Sequence, residues 1–279
     1  MKELSAEANT HRAYVGPMAE YDVGAAHQFH LLTTVLGLRE YHNLLEIGCG
    51  SLRAGRLLIT WLMPDRYCGL EPNRWLIEAG LDKEIGRDLV ARRRPVFRHD
   101  DDFGLQRFGR RFDYVIAQSI FSHTSLAQMR ACLLEARAVL APQGVFAASF
   151  VEGEDDYTGD RWVYPESVAF TLTTVTRVAG AAGLACTPID WGNQNGQRWV
   201  VFHHPEHRPD VDLDDESARR AAVAVARERA ASYRRVGVSP ADYARLIERL
   251  AAIADHPAVQ RAMADDPALR AAVHGPDAE

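Results

Sequence analysis

Several signals that would class the chain at once are missing from it. None of its four cysteines, Cys49, Cys68, Cys132 and Cys186, stands in a C-x-x-C pair. That argues against a zinc site or a disulfide framework and fits a reducing, cytoplasmic setting. No window reaches the length of an apolar membrane span. Met1 to Glu7 is polar, so no signal peptide is expected there. Basic excess is also absent: the formal net charge is −6, which gives no footprint for nucleic acid. The densest basic stretches, Arg92-Arg93-Arg94 and Arg110-Arg111, read as solvated loop charge. His203, His204 and His207 have no matched carboxylate or cysteine nearby, so no metal site is expected.

What is present suffices for a large core. The chain has 279 residues, 47% of them hydrophobic, enough for one large domain or a domain with an appendage. Strands are expected at about 43–48, 66–71, 95–98, 112–118 and 145–150. Helices are expected at about 20–40, after Gly50, and at about 73–82, 125–140 and 166–182. Such alternation implies a parallel sheet covered on both faces. Leu184 to Ile189 and Gln197 to Phe202 form a final strand pair with no helix between them, joined by residues 191–196. The last strand should therefore run antiparallel. The predicted class is α/β: a Rossmann-like doubly wound sheet of about seven strands with a C-terminal helical extension. Domain limits are expected at 1–42 for an N-terminal helical cap, 43–205 for the sheet domain and 206–279 for the extension. In the extension, Ser239-Pro240 reads as a helix start, and Tyr243, Leu246, Ile247, Leu250 and Ile253 form one apolar stripe. Such a short Ala-rich bundle buries little by itself. It is expected to dock on the sheet domain or on a second subunit, which would make a homodimer.

The most informative stretch is Leu44-Leu45-Glu46-Ile47-Gly48-Cys49-Gly50-Ser51-Leu52-Arg53-Ala54-Gly55. An apolar strand runs into a glycine turn and then a helix. Glycines let backbone approach a ligand, and a helix start offers unpaired N–H groups. The nicotinamide fingerprint G-x-G-x-x-G is broken, because Arg53 stands at its third glycine. Glu46, two residues before the first glycine, is polar in an otherwise apolar strand. This pattern resembles motif I of the class I S-adenosylmethionine-dependent methyltransferases. The stretches 67–73, 112–123 and 195–199 are similar to a bacterial subgroup of small class I methyltransferases. Many of that subgroup act on small molecules, often in secondary metabolism. The resemblance spans roughly residues 20–203. It implies that residues 43–205 bind S-adenosylmethionine and that the reaction displaces its sulfonium methyl onto an O, N, C or S nucleophile.

Ligands of doubly wound sheets bind at the carboxyl ends of the strands. Gly48, Cys49 and Gly50 are expected to lie against the methionine portion and ribose. Glu71, ending the second strand before Pro72, can accept hydrogen bonds from both ribose hydroxyls. The resemblance implies an acid after the third strand that accepts from the adenine amino group. Asp100, Asp101 and Asp102 are the candidates, with Asp101 taken first and Phe103 set to stack on adenine. Gln118 and Ser119 close the fourth strand beside the methyl donor. Tyr14 and Tyr21 are read as reaching the cofactor carboxylate.

For the acceptor, His123 is the leading general base, with a backbone-bonded structural histidine as the alternative. His27 and His30 are read as capping the site. Glu152, with Glu154, Asp155 and Asp156, follows the fifth strand in a substrate-facing loop or a solvated one. Trp162, Tyr164, Trp191 and Trp199 are pocket walls or core. The Asn/Asp-Pro-Pro-Tyr/Phe signature of methyltransferases acting on nucleic-acid bases is absent; Ala117-Gln118-Ser119-Ile120 stands there. The expected partner is a small-molecule acceptor, with no membrane and no DNA base; protein and tRNA acceptors stay open. A nicotinamide oxidoreductase and a non-catalytic scaffold on the same fold are the competing functions.

Overall fold

The computed structural model describes residues 11–189, 191 and 197–209. In chain order the elements are α1 (His11–Tyr14), α2 (Tyr21–His30), β1 (Leu44–Ile47), α3 (Gly55–Trp61), β2 (Tyr67–Leu70), α4 (Arg74–Gly80), α5 (Arg87–Arg93), β3 (Val96–Arg98), β4 (Phe112–Ala117), α6 (Leu126–Val139), β5 (Leu140–Glu152), β6 (Ala169–Phe170), α7 (Leu172–Ala181), β7 (Ala185–Ile189) and β8 (Gln197–His203).

Every residue of β1 and β2 is buried, as strands covered on both faces require. The strand order is β3-β2-β1-β4-β5-β8-β7, with β6 pairing β5. Pairings from β3 through β5 are parallel. β8 runs antiparallel to both β5 and β7. The chain builds outward from β1 to β3, then returns to place β4 on the other side. The switch point therefore lies between the carboxyl ends of β1 and β4.

The main core cluster joins the sheet to α6 and α7. Leu45, Val115, Phe146 and Phe202 from the strands pack with Met129, Leu133, Val175 and Val178 from the helices. α6 begins with a reciprocal cap: the Ser125 hydroxyl accepts from Gln128 N–H, and the Gln128 side chain accepts from Ser125 N–H.

Three elements differ from the sequence reading. The helix read at 20–40 ends as α2 plus one π-helical turn, Leu31–Val35; Gly37 then takes φ +78°. The helix read at 73–82 continues through a second π turn, Leu81–Ile85, and α5 follows Gly86. α5 buries no residue, so it left no apolar periodicity to read. The helix read from 166 starts at 172, because Thr171 caps it. The Asp156 carboxylate accepts from both Thr171 N–H and the Thr174 hydroxyl, at 2.8 and 2.5 Å. The residues before it form β6, which makes eight strands instead of seven.

The chain divides into two units, Met1–Val211 and Asp212–Glu279, and all described residues belong to the first. The helices expected after 206, from Ser239-Pro240 through Ile253, lie outside the described residues, as do Gly192 to Gly196. Among the described residues, no helix is long and apolar enough to cross a membrane.

Candidate active site

The chain leaves β1 through Gly48 and Gly50, both left-handed, with φ +67° and +53°. A Cβ on Gly50 would sit 2.6 Å from Val15 Cγ1, and one on Gly48 would run into Ile120. The turn is pinned to the end of β2 by Gly48 N–H and Cys49 N–H, which donate to Leu70 O at 2.8 and 3.1 Å. Glu71 is buried and held by three donors. Gly50 N–H reaches Oε2 at 3.1 Å; Asn73 N–H and Nδ2 reach Oε1 at 2.9 and 2.8 Å. The carboxylate is thus fixed against the glycine turn before any ligand arrives.

Glu46 lies in the middle of the sheet. The Tyr67 hydroxyl donates to its Oε2 at 2.6 Å. Burial raises its pKa from the ordinary 4.5 to about 7, against the opposing pull of the Tyr67 hydroxyl and Arg53. Arg53 donates through Nη1 to Val15 O at 3.0 Å and through Nη2 to Gln118 Oε1. Burial lowers its pKa, opposed by Glu46.

Past Gln118, Ser119 is also left-handed, with φ +61°. A closed polar network holds it there. Ser119 N–H donates to Ser149 Oγ at 2.8 Å, Ser149 donates to Gln197 Oε1 at 2.7 Å, and Gln197 Nε2 donates to Ser119 Oγ at 2.6 Å. Nearby, His123 Nδ1 lies 2.7 Å from Glu166 O. A carbonyl can only accept, so Nδ1 carries the proton and Nε2 presents a lone pair. Burial holds the imidazole below its usual pKa. The Tyr164 and Trp162 rings stand 5.0 and 5.5 Å from it.

These groups share one cavity of about 810 Å³. Glu46, Gly48, Cys49, Gly50, Glu71, Pro72, Asp101, Phe103, Gln118, Ser119, His123, Trp162 and Tyr164 line it. Among the three aspartates, Asp102 pairs with Arg107 outside the cavity, and Asp100 is paired to Arg98 and Arg107. Asp101 lines the cavity with neither bond. Residues 13–17 form part of the wall. The segment leading into them is tied down by Glu84, which accepts from His11 at 2.6 Å and from Arg12 at 2.7 Å.

Tyr21, His27, His30, Glu152, Trp191 and Trp199 do not line the cavity; the two tryptophans are buried as core. Tyr21 is buried, and its hydroxyl donates to Ser51 O at 2.9 Å. His27 faces away; its Nδ1 accepts from Trp191 Nε1 at 2.9 Å, so these two buried residues satisfy each other. Glu152 lies at the end of β5 with Arg198 3.9 Å away. His30 stacks on Trp191 and is likewise no wall of the cavity. Sequence reasoning missed Val15, Gln28 and Gln128, neutral residues with no motif around them, and gave no role to Gln197 although 195–199 carried the resemblance. It also read Arg53 only as a missing glycine, although a cation beside a ligand turn is itself a signal. His203 bonds to Thr187 and His204 O, at 3.1 and 2.9 Å. Among the described residues, no group of three or more His, Cys, Asp or Glu could hold a metal.

Residues 45–146 match the family model described as a methyltransferase domain. The fold is that of the class I S-adenosylmethionine-dependent methyltransferases. No protein of curated function matches the chain significantly. Among solved structures, magnesium protoporphyrin IX methyltransferase (ChlM) from Synechocystis PCC 6803 with bound SAM is similar at TM-score 0.51 and 13% identity, over 72% of this chain and 92% of that one. Streptomyces venezuelae DesVI is similar at TM-score 0.50 and 16% identity, over 68% and 94%. At these identities the likeness concerns the fold.

The residues of the cavity fit S-adenosylmethionine. The bare turn at Gly48 and Gly50 admits a ligand against backbone, and Glu71 is an anchored acceptor at the next strand end. A nicotinamide cofactor finds no third glycine, because the Arg53 side chain lines the cavity instead.

Proposed function

We propose that the protein transfers the methyl group of S-adenosylmethionine to an oxygen, nitrogen or carbon nucleophile of a small molecule, as a step of secondary metabolism. The observation that carries this reading is the uneven chemistry of the cavity. Its charged lining residues, Glu46, Arg53, Glu71, Asp100 and Asp101, belong to the turn and to the ends of β1, β2 and β3. Past Gln118 and Ser119 the lining, from Ile120 through His123, Trp162 and Tyr164 to Gln197, holds no Asp, Glu, Lys or Arg. A neutral, partly aromatic wall suits a small uncharged acceptor, because an unpaired charge there would lose its water without compensation. Ligand pockets commonly measure about 300–1,000 Å³, and about 810 Å³ suits a cofactor with a compact acceptor. The acceptor named for ChlM, magnesium protoporphyrin IX, is also a small molecule.

In this reading Glu71 binds the ribose hydroxyls, and Asp101 and Phe103 receive the adenine. Gln118 and Ser119 flank the point of transfer. The cofactor supplies an activated methyl group when bound; the chain aligns the acceptor with it and keeps water out. His123 Nε2 takes the proton from a hydroxyl acceptor, while a neutral amine needs no such help. Residues 1–42, 43–205 and 206–279 serve as cap, methyl-donor domain and extension, and the extension is the candidate contact with a second subunit. Four free cysteines suit a reducing cytoplasm.

Calorimetric titration with S-adenosylhomocysteine tests the reading. The parent is expected to bind. Glu71→Ala is expected to bind roughly tenfold to a hundredfold more weakly, the range for a charge-assisted hydrogen bond. A parent without affinity, or a folded Glu71→Ala protein that binds equally well, would overturn it.

A further inference from the structure

We propose that Arg53 is the carboxylate-binding site of the cavity and holds the carboxylate at the amino-acid end of the cofactor. The inference rests on the methyl-donor reading above and adds a residue that the family pattern does not supply.

Arg53 follows the glycine turn and precedes α3. Its guanidinium lines the cavity, and both of its hydrogen-bond acceptors, Val15 O and Gln118 Oε1, are neutral. Among the described residues, no carboxylate oxygen lies within ion-pair distance of it. Other arginines around the site are paired: Arg12 with Glu84, Arg56 with Asp22, Arg98 with Asp100, and Arg107 with Asp100 and Asp102. Glu46 is near enough to favour the charge but makes no contact with it. Arg53 is half-buried, and a cation partly stripped of water without gaining an anion is costly; an anion entering the cavity offsets that cost. A guanidinium offers five N–H donors in a planar fork that matches a carboxylate, and only two bonds are in use here.

Position decides which carboxylate. Glu71 and Asp101, at the ends of β2 and β3, mark the ribose and adenine end. Gln118, at the end of β4, marks the methyl end, and Arg53 is bonded to Gln118. With its ribose at Glu71 and its sulfur near Gln118, the cofactor would extend its amino-acid end past the sulfur, where Arg53 stands. Of the two tyrosines read from the sequence, Tyr21 has given its hydroxyl hydrogen to Ser51 O, and Tyr14, in the cavity wall, is hydrogen-bonded to Asn73 on the Glu71 side.

The test compares S-adenosylhomocysteine with its decarboxylated analogue by calorimetry, using the full-length parent, Arg53→Gln and Arg53→Lys. The parent is expected to prefer the carboxylate-bearing ligand by roughly tenfold to a hundredfold. In Arg53→Gln the preference should collapse to within about threefold, with the analogue bound nearly as in the parent. Arg53→Lys should recover part of it, as a point charge without the fork. A parent that does not distinguish the two ligands overturns the inference even if both variants fail to fold. So does an Arg53→Gln protein that keeps the full preference. A parent binding neither ligand overturns the methyl-donor reading itself, and this inference with it.

Discussion

Glu46→Gln should flatten the loss of stability that the protein suffers as pH rises. The Glu46 carboxyl is buried in β1, and its pKa stands at about 7 instead of 4.5. An acid whose pKa is raised by folding adds stability that is complete below the unfolded value and lost as pH climbs to the folded one. Between pH 4.5 and about 7 this single group therefore removes roughly 3 kcal/mol of folding free energy, at about 1.4 kcal/mol per pH unit. Glutamine keeps an oxygen for the Tyr67 hydroxyl and carries no charge at any pH. The amide brings its own constant cost, so the quantity to read is the change in stability between about pH 5 and pH 8, from urea unfolding followed by tryptophan fluorescence. That change should be smaller in the variant by about 2–3 kcal/mol. Equal changes in parent and variant would refute the argument, because the buried carboxyl would then not be the group that titrates.

His123→Gln should lower turnover of a hydroxyl acceptor by roughly a hundredfold to ten-thousandfold, with S-adenosylhomocysteine affinity in calorimetry unchanged. In the parent, burial keeps His123 neutral at pH 7, so kcat/KM should be level near neutrality and fall only in acid; a rise toward acid pH would contradict the base role. Ser125→Ala should cost about 1 kcal/mol through loss of the α6 cap, read as a lower urea midpoint, while leaving ligand affinity alone.

The parts of the site legible in the sequence were those carried by local chemistry. Strand, glycine turn and helix are contiguous between Leu44 and Trp61, so their spacing could be read directly. Glu71 follows a buried strand and precedes a proline, which marks a strand end. The triple Asp100-Asp101-Asp102 could not be resolved from sequence. What separates its members is ion pairing with Arg98 and Arg107, set by tertiary approach. Tyr21 and His27 carried the right chemistry on the wrong face, because α2 turns them toward Ser51 and Trp191. α5 escaped notice for the opposite reason: a helix that buries nothing leaves no hydrophobic period. Gln197 stood in a stretch that carried the resemblance, but its role was not legible, since it depends on β8 lying antiparallel beside β5.

That placement of Gln197 bears on how the enzyme is born. The turn at Gly48, the acid Glu71 and the strand β4 lie early in the chain and assemble through parallel neighbours. Gln197 arrives last, at the start of the final strand, and its amide closes the ring that holds Ser119 and Ser149. A nascent chain emerging from the ribosome therefore presents the glycine turn and Glu71 well before the Ser119–Ser149–Gln197 ring can close. A chain ending before residue 197 would lack β8, whose Val200 and Phe202 belong to the core, together with the amide that closes that ring.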